Sequence, residues 1–200
     1  MNLFALEGDS RRDLVDWRAS ARSVDDLRVS KMAVEACQML CTVARGHGFS
    51  APYRATHARH PCTLWVASSS GNFRAAMDHA RALLEEWAAR FGHRPEEHRS
   101  FAVLEWCARA FEKEGLESCF PSSTETAPAL AVPQEFQAGG VIRSYRRFWV
   151  SKTRMRYREE RLPAWFRQAR TTPFELRISP GSAASSPSDA DRSRSGRAGS

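Results

Sequence analysis

The sequence predicts a mainly α fold: a single-domain helical bundle with a possible short N-terminal strand and a disordered C-terminal tail. Three observations carry this expectation. Phe73, Met77, Ala80, Leu84, Trp87 and Phe91 recur at steps of four and three before Gly92, the spacing of one buried helix face followed by a stop signal. No stretch alternates polar and apolar residues as a set of strands would. From Pro180 onward, "PGSAASSPSDADRSRSGRAGS" holds almost no large apolar side chain, too little to offset the entropy of ordering. With 42% hydrophobic content, the 200 residues support one sizeable core. Residues 1–170 are assigned to the helical domain and 171–200 to the tail.

Taken in order, "NLFAL" at residues 2–6 reads as a short buried strand or an extended lead-in, and its brevity leaves both open. Ser23 with Asp26 three residues on forms a variant capping box, and Gly46 and Gly48 supply stop signals, which predicts a helix over 24–45. "FSAPYRATHARHPCTLW" reads as an ordered loop entering a new helix at Pro61, with His60 near its cap. The Phe73 to Phe91 stripe makes the next helix and faces the core. A further helix is expected from Glu96 or Glu97 to Lys113, with Phe101, Leu104, Ala108 and Phe111 inward. Residues 119–133 form a connector. After Gly140 a basic, aromatic helix is expected to reach about Arg158, and Pro163 breaks it before "AWF".

The helix over 24–45 carries an unusual stripe. At about 100° per residue, Arg28, Lys31, Glu35 and Gln38 share one arc roughly 80° wide. Met32, Ala36, Met39, Leu40 and Val43 flank it on one side, Leu27, Val34 and Cys41 on the other. Polar groups walled by apolar ones are costly unless paired with each other or with a ligand. Two readings stay open: an internal Lys31–Glu35 pair, or a ligand-facing site.

Five cysteines, an odd number with no CxxC, argue against a disulfide framework or a zinc ribbon. Cys37 and Cys41 are expected to be small core residues. No apolar run approaches the roughly 18 residues of a membrane span, and "MNLFALEGDSRR" is too short and acidic for a secretory signal, so a cytoplasmic location is expected.

The net charge of +7 is concentrated. Residues 143–170 hold 10 Lys and Arg against 2 Asp and Glu, whereas residues 1–142 hold 16 against 18. Arg143, Arg146, Arg147, Lys152, Arg154, Arg156 and Arg158 alternate with Tyr145, Phe148, Trp149 and Tyr157, the footprint of phosphate contact with base stacking. The competing reading is a terminal helix whose aromatics dock into the core while its arginines face water.

No P-loop, GxGxxG, GxSxG or HExxH motif occurs, which removes support for nucleotide hydrolysis, Rossmann redox chemistry, α/β-hydrolase chemistry and zincin chemistry. His57, His60 and Cys62 invite a metal reading, but Pro61 makes their convergence awkward. Phosphate-binding or loop-holding histidines are the preferred expectation, with no metal and no cofactor. His57 as a general acid or base is a further option.

"SVDDLRVSKMAVEACQMLCT", "PYRATHARHPCTLW", "SGNFRAAMDHARALLEEWAARFG", "SYRRFW" and "LPAWF" resemble a family of small, mostly helical proteins common in bacteriophage and prophage genomes. Some of its members are labelled pyrimidine-dimer DNA glycosylase or endonuclease V-like. The similarity covers about residues 1–166. The resemblance implies a DNA-facing site in a bacterial cell or phage-infected host. Asp26, Arg28 and Lys31 match "DDxRxxK", Glu35 and Gln38 match "ExxQ", and His57, His60 and Trp65 match "THxxHPCxxW".

A glycosylase needs an amine, a carboxylate and a stacking aromatic around a flipped base. The resemblance thus implies Lys31 as nucleophile with Glu35 or Asp26 as acid/base partner, and Arg28, Gln38, His57, His60 and Trp65 as substrate-binding residues. The basic segment adds Arg143, Tyr145, Arg146, Arg147, Lys152 and Arg154 as nucleic-acid contacts. One departure is plain. The pyrimidine-dimer enzyme uses the α-amino group of a threonine exposed by methionine removal, whereas this chain begins Met1-Asn2. Asn2 is bulky enough to keep Met1 in place, which passes any lyase chemistry to Lys31. Three functions follow as expectations: an enzyme acting on a base in DNA, a non-catalytic DNA or RNA binder, or an enzyme on a free nucleotide or other small anionic substrate.

Overall fold

The computed structural model describes residues 2–137 and 139–171. Nearly all of the expected tail, 171–200, lies outside the described residues. Seven α-helices appear among the described residues: α1 Trp17–Arg22, α2 Val29–Gly46, α3 Pro61–Ser68, α4 Ser70–Phe91, α5 Ser100–Lys113, α6 Val141–Val150 and α7 Ala164–Thr171. The one sheet is a two-stranded antiparallel ribbon of β1 Gly8–Asp9 and β2 Leu14–Val15, with Gly8 opposite Val15. The mainly helical expectation holds.

Helix α4 is the centre of the bundle and contacts α1, α2, α3 and α5. Ser69 caps its start by accepting from Asn72 N–H, and Gly92 ends it at φ 73°, a left-handed conformation that glycine adopts without a Cβ penalty. Phe73, Met77, Ala80 and Leu84 are buried as the stripe requires, whereas Phe91 reaches the surface. At Gly71 the connector passes so close that a Cβ would sit 2.5 Å from the Glu125 nitrogen. That approach lets Ser69 Oγ donate to Thr124 O and Asn72 Oδ1 accept from Thr126 N–H, fixing the 120–133 connector across the α3–α4 junction.

Helix α2 starts later than expected. Ser23 ends α1, and the Asp26 carboxylate leaves the helix axis to meet Arg90 Nη1 at 3.2 Å. The variant capping box is therefore absent, because a long-range ion pair takes its acid. Arg90 is almost fully buried. Its guanidinium also donates to the carbonyls of Val24 and Arg22 and to Glu86 Oε2.

Residues 2–6 form no strand. They run as an extended lead-in through the core, with Leu3, Phe4, Ala5 and Leu6 all buried. Phe4 meets Trp149 edge-on at 4.6 Å and Tyr145 at 5.8 Å. Helix α6 stops at Val150, eight residues short of expectation. The segment after it is tied instead to the 23–28 turn: Asp26 N–H donates to Arg156 O, Arg156 N–H to Asp25 Oδ2, and Tyr157 OH to Ser23 O. Backbone groups engaged this way cannot continue the helical ladder.

His79 lies wholly inside, its Nδ1–H donating to Trp17 O at 3.0 Å. Burial, opposed only by that bond, drives its pKa down to about 4, so it is folded as the neutral imidazole. A base whose pKa is lower folded than unfolded contributes stability that is complete above about pH 6.5 and lost as pH falls toward 4. Urea titrations of His79→Gln should therefore give a flatter stability profile between pH 6.5 and 4, missing roughly 3 kcal/mol of the wild-type decline. Equal slopes would refute this assignment.

Candidate functional site

The stripe on α2 is graded from water to core. Arg28 stands at the helix start without a side-chain capping bond, Lys31 is 72% exposed along its side chain, and Glu35 only 12%. Met32, Ala36, Met39, Leu40 and Val43 make a buried wall on one side. The opposite wall is open: Leu27 is exposed and Val34 half-buried, with only Cys41 fully covered. The row thus lies at the rim of the core.

Glu35 is where the groups converge. Its Oε1 is 3.5 Å from Lys31 Nζ, and its Oε2 accepts the backbone N–H of Asn2 at 3.0 Å. Asn2 is locked in turn. Its Nδ2 donates to Ala131 O at 3.0 Å, and its Oδ1 accepts from Tyr145 OH at 2.9 Å and from Cys62 Sγ at 3.4 Å. The connector, α3 and α6 therefore meet around the Asn2 side chain, while its backbone N–H ties the lead-in to the Glu35 carboxylate on α2. Sequence reasoning missed Asn2 and Cys62 as parts of this arrangement, although the apolar run after Asn2 signalled a buried segment.

The histidine loop is pinned against the C-terminal turns of α2, beyond Glu35. Thr42 Oγ1 accepts Thr56 N–H at 3.0 Å, and Arg45 Nε donates to Tyr53 O at 2.7 Å. His60 caps α3, its Nδ1 accepting Cys62 N–H at 3.2 Å, which leaves Nε2 as the donor nitrogen of the neutral ring. Burial first, then the α-amino group and His57, pull its pKa below the usual histidine range against the opposing pull of Glu35. His57 is exposed at φ 50°, with Thr56 Oγ1 2.6 Å from its Nδ1. A non-glycine residue in the left-handed region is uncommon and persists where the surroundings impose it. Gln38 is half-buried one turn beyond Glu35, and among the described residues its amide makes no hydrogen bond.

Other expected site residues lie elsewhere. Asp26 is bound by Arg90 and does not face Lys31. Trp65 is buried beside Trp17 at 5.5 Å, its Nε1 donating to Thr126, so it fills the core and offers no stacking face. Tyr145 is fully buried, its single hydroxyl proton shared between Asn2 Oδ1 and Ala129 O. Arg146 is spent on Glu7 Oε2 at 2.7 Å and Leu6 O, over the Trp165 ring. Arg147 reaches Glu135 O. Of the expected nucleic-acid contacts, only Arg143 and Arg154 are exposed, with Lys152 half-buried. The docked-helix reading thus accounts for the aromatics of this segment.

Arg28 joins the two regions. Its Nη1 donates to Asp25 Oδ2 and to Arg154 O, both at 2.9 Å, and its guanidinium lies over Trp149 at 5.7 Å. Cations from α2 and from the segment after α6 therefore occupy one side of the molecule. Among the described residues, no group of three or more His, Cys, Asp and Glu is placed to hold a metal ion. None of their helices is long and apolar enough to cross a membrane. His60, Cys62 and His57 turn to separate partners. No family model, curated protein or solved structure matches this chain.

Proposed function

We propose that the chain is an enzyme acting on DNA, excising or modifying a base at Glu35 of α2. The observation that carries this reading is a largely buried carboxylate with an exposed ammonium 3.5 Å away, near enough to His60 to act on its charge, with cations alongside. Such a carboxylate can stabilise the positive charge that develops at a sugar C1′ as a base departs, or take a proton from attacking water. Lys31, exposed at the mouth, meets a phosphate or the opened sugar. His60, neutral with Nε2 as donor, and His57 hold the substrate from the loop side. Arg28 and Arg154 neutralise strand phosphates.

The burial of Tyr145 and Trp149 favours this reading over a non-catalytic binder, because it withdraws the aromatic platform that sequence-tolerant stacking needs. A duplex oligonucleotide carrying a thymine dimer or an abasic site tests the proposal. Base release or strand scission is expected, with affinity that falls as salt rises, each phosphate contact adding about one to the logarithmic slope. Turnover of free nucleotides without oligonucleotide affinity would move the substrate class to small anions and sink the DNA reading.

A further inference from the structure

Lys152, two residues beyond α6, is a half-buried amine that lacks a carboxylate partner. Its Nζ lies 4.0 Å from the centroid of the Phe148 ring and 5.6 Å from that of Phe4. Among the described residues it makes no salt bridge and no side-chain hydrogen bond. Lys31, by contrast, is exposed and paired with Glu35. Lys113 is exposed at the end of α5.

The surroundings of Lys152 disfavour its charge. Burial is the largest cause, Arg28 and Lys31 add to it, and Asp25 opposes them; the net effect holds its pKa below the usual lysine range. The ring faces pull the other way, since aromatic quadrupoles attract an ammonium. Asp25 is fully buried, with one oxygen committed to Arg28 and to Arg156 N–H and the other, Oδ1, without a partner. Lys152, Arg28 and Lys31 thus put three cations on one face, close enough for Arg28 and Lys31 to act on the Lys152 charge, and together they can hold an anion.

We propose that Lys152 is the nucleophilic amine of this face, taking an aldehyde carried on a phosphorylated group, with Arg28 and Lys31 holding the phosphate. The proposal rests on reading the face as a site for a phosphate-bearing substrate. The free amine adds to the carbonyl carbon, forming a C–N bond as the C=O π pair moves to oxygen. The carbinolamine then takes up a proton and loses that oxygen as water, leaving a protonated imine. In a strand with a lost base, the aldehyde is C1′ of the ring-opened sugar and the phosphate is its neighbour.

The chain contains three lysines, Lys31, Lys113 and Lys152, so the test has few channels. The full-length protein is treated with pyridoxal phosphate at neutral pH, reduced with borohydride, and its peptides quantified by mass spectrometry. Lys152 is expected to be labelled several times faster than either other lysine, and inorganic phosphate to slow that labelling. Lys152→Arg should lose the fast phase with an unchanged thermal midpoint. Even labelling, or labelling led by Lys31, overturns the proposal without any variant. The same trap is then run on an abasic oligonucleotide. An adduct mapped to Lys152 supports both readings. An adduct at Lys31 or at the α-amine overturns the Lys152 assignment and keeps the DNA reading. Selective pyridoxal phosphate labelling with no DNA adduct keeps Lys152 and counts against DNA.

Discussion

Glu35→Gln is expected to lower turnover on the damaged oligonucleotide by roughly 10²- to 10⁴-fold, with binding affinity changed little. The substitution keeps the shape of the side chain and an oxygen to accept Asn2 N–H, now 3.0 Å away. What disappears is the negative charge, at a point where a substrate cation or a proton in transit would use it. Structural cost should be small, since the Lys31 partner is mostly in water and a solvated pair at this helical spacing is worth about 0.2–0.5 kcal/mol. Single-turnover rates together with a binding isotherm separate the two effects. Unchanged turnover would falsify a chemical role for Glu35, leaving Lys31–Glu35 as an ordinary pair at the rim of the core.

The largest stability effect is expected at Arg90. Its guanidinium serves two carboxylates and two backbone carbonyls from an almost fully buried position, and Arg161 reaches the same Glu86 oxygen at 3.0 Å. Arg90→Met preserves much of the volume and strands Asp26 and the two carbonyls. Removing one member of a buried ionic group costs about 3–5 kcal/mol, which for a chain of this length lowers Tm by roughly 6–20 °C. Arg18→Ala, which removes the exposed pair with Glu85, serves as the control and should cost less than about 1 kcal/mol. Similar losses in the two variants would show that the Arg90 network is structurally idle.

These two residues mark where the sequence was and was not legible. Helix α4 could be read from its stripe and Gly92, and α3 from Pro61 with His60, because each signal is local and its partner lies within a few residues. Asp26 misled because its partner is 64 residues away: the same Ser-x-x-acid spacing serves a cap or a long-range ion pair, and only tertiary contact decides. The end of α6 was hidden for the same reason, its continuation being claimed by the 23–28 turn. Within the site, the spacing of Arg28, Lys31, Glu35 and Gln38 did bring out the residue at the convergence. It could not show that the second wall is open, nor that Asn2 completes the arrangement, since periodicity says nothing about which other segment approaches a helix face. Tyr145 and Trp149 illustrate the remaining limit, because an arginine-aromatic alternation has one composition whether its rings meet bases or a core.

The buried lead-in bears on how the molecule is made. Asn2 is held by Ala131 and Tyr145, Phe4 by Trp149, and the Leu6 carbonyl by Arg146. During translation residues 2–6 leave the ribosome long before those partners, which lie 129 or more residues later in the chain, exist. Phe4 therefore leaves the ribosome well before the Tyr145, Phe148 and Trp149 rings that pack on it. Such a topology ties completion of folding to late, distant pairings, slows it relative to a bundle of sequential hairpins, and gives holding chaperones a natural point of attachment.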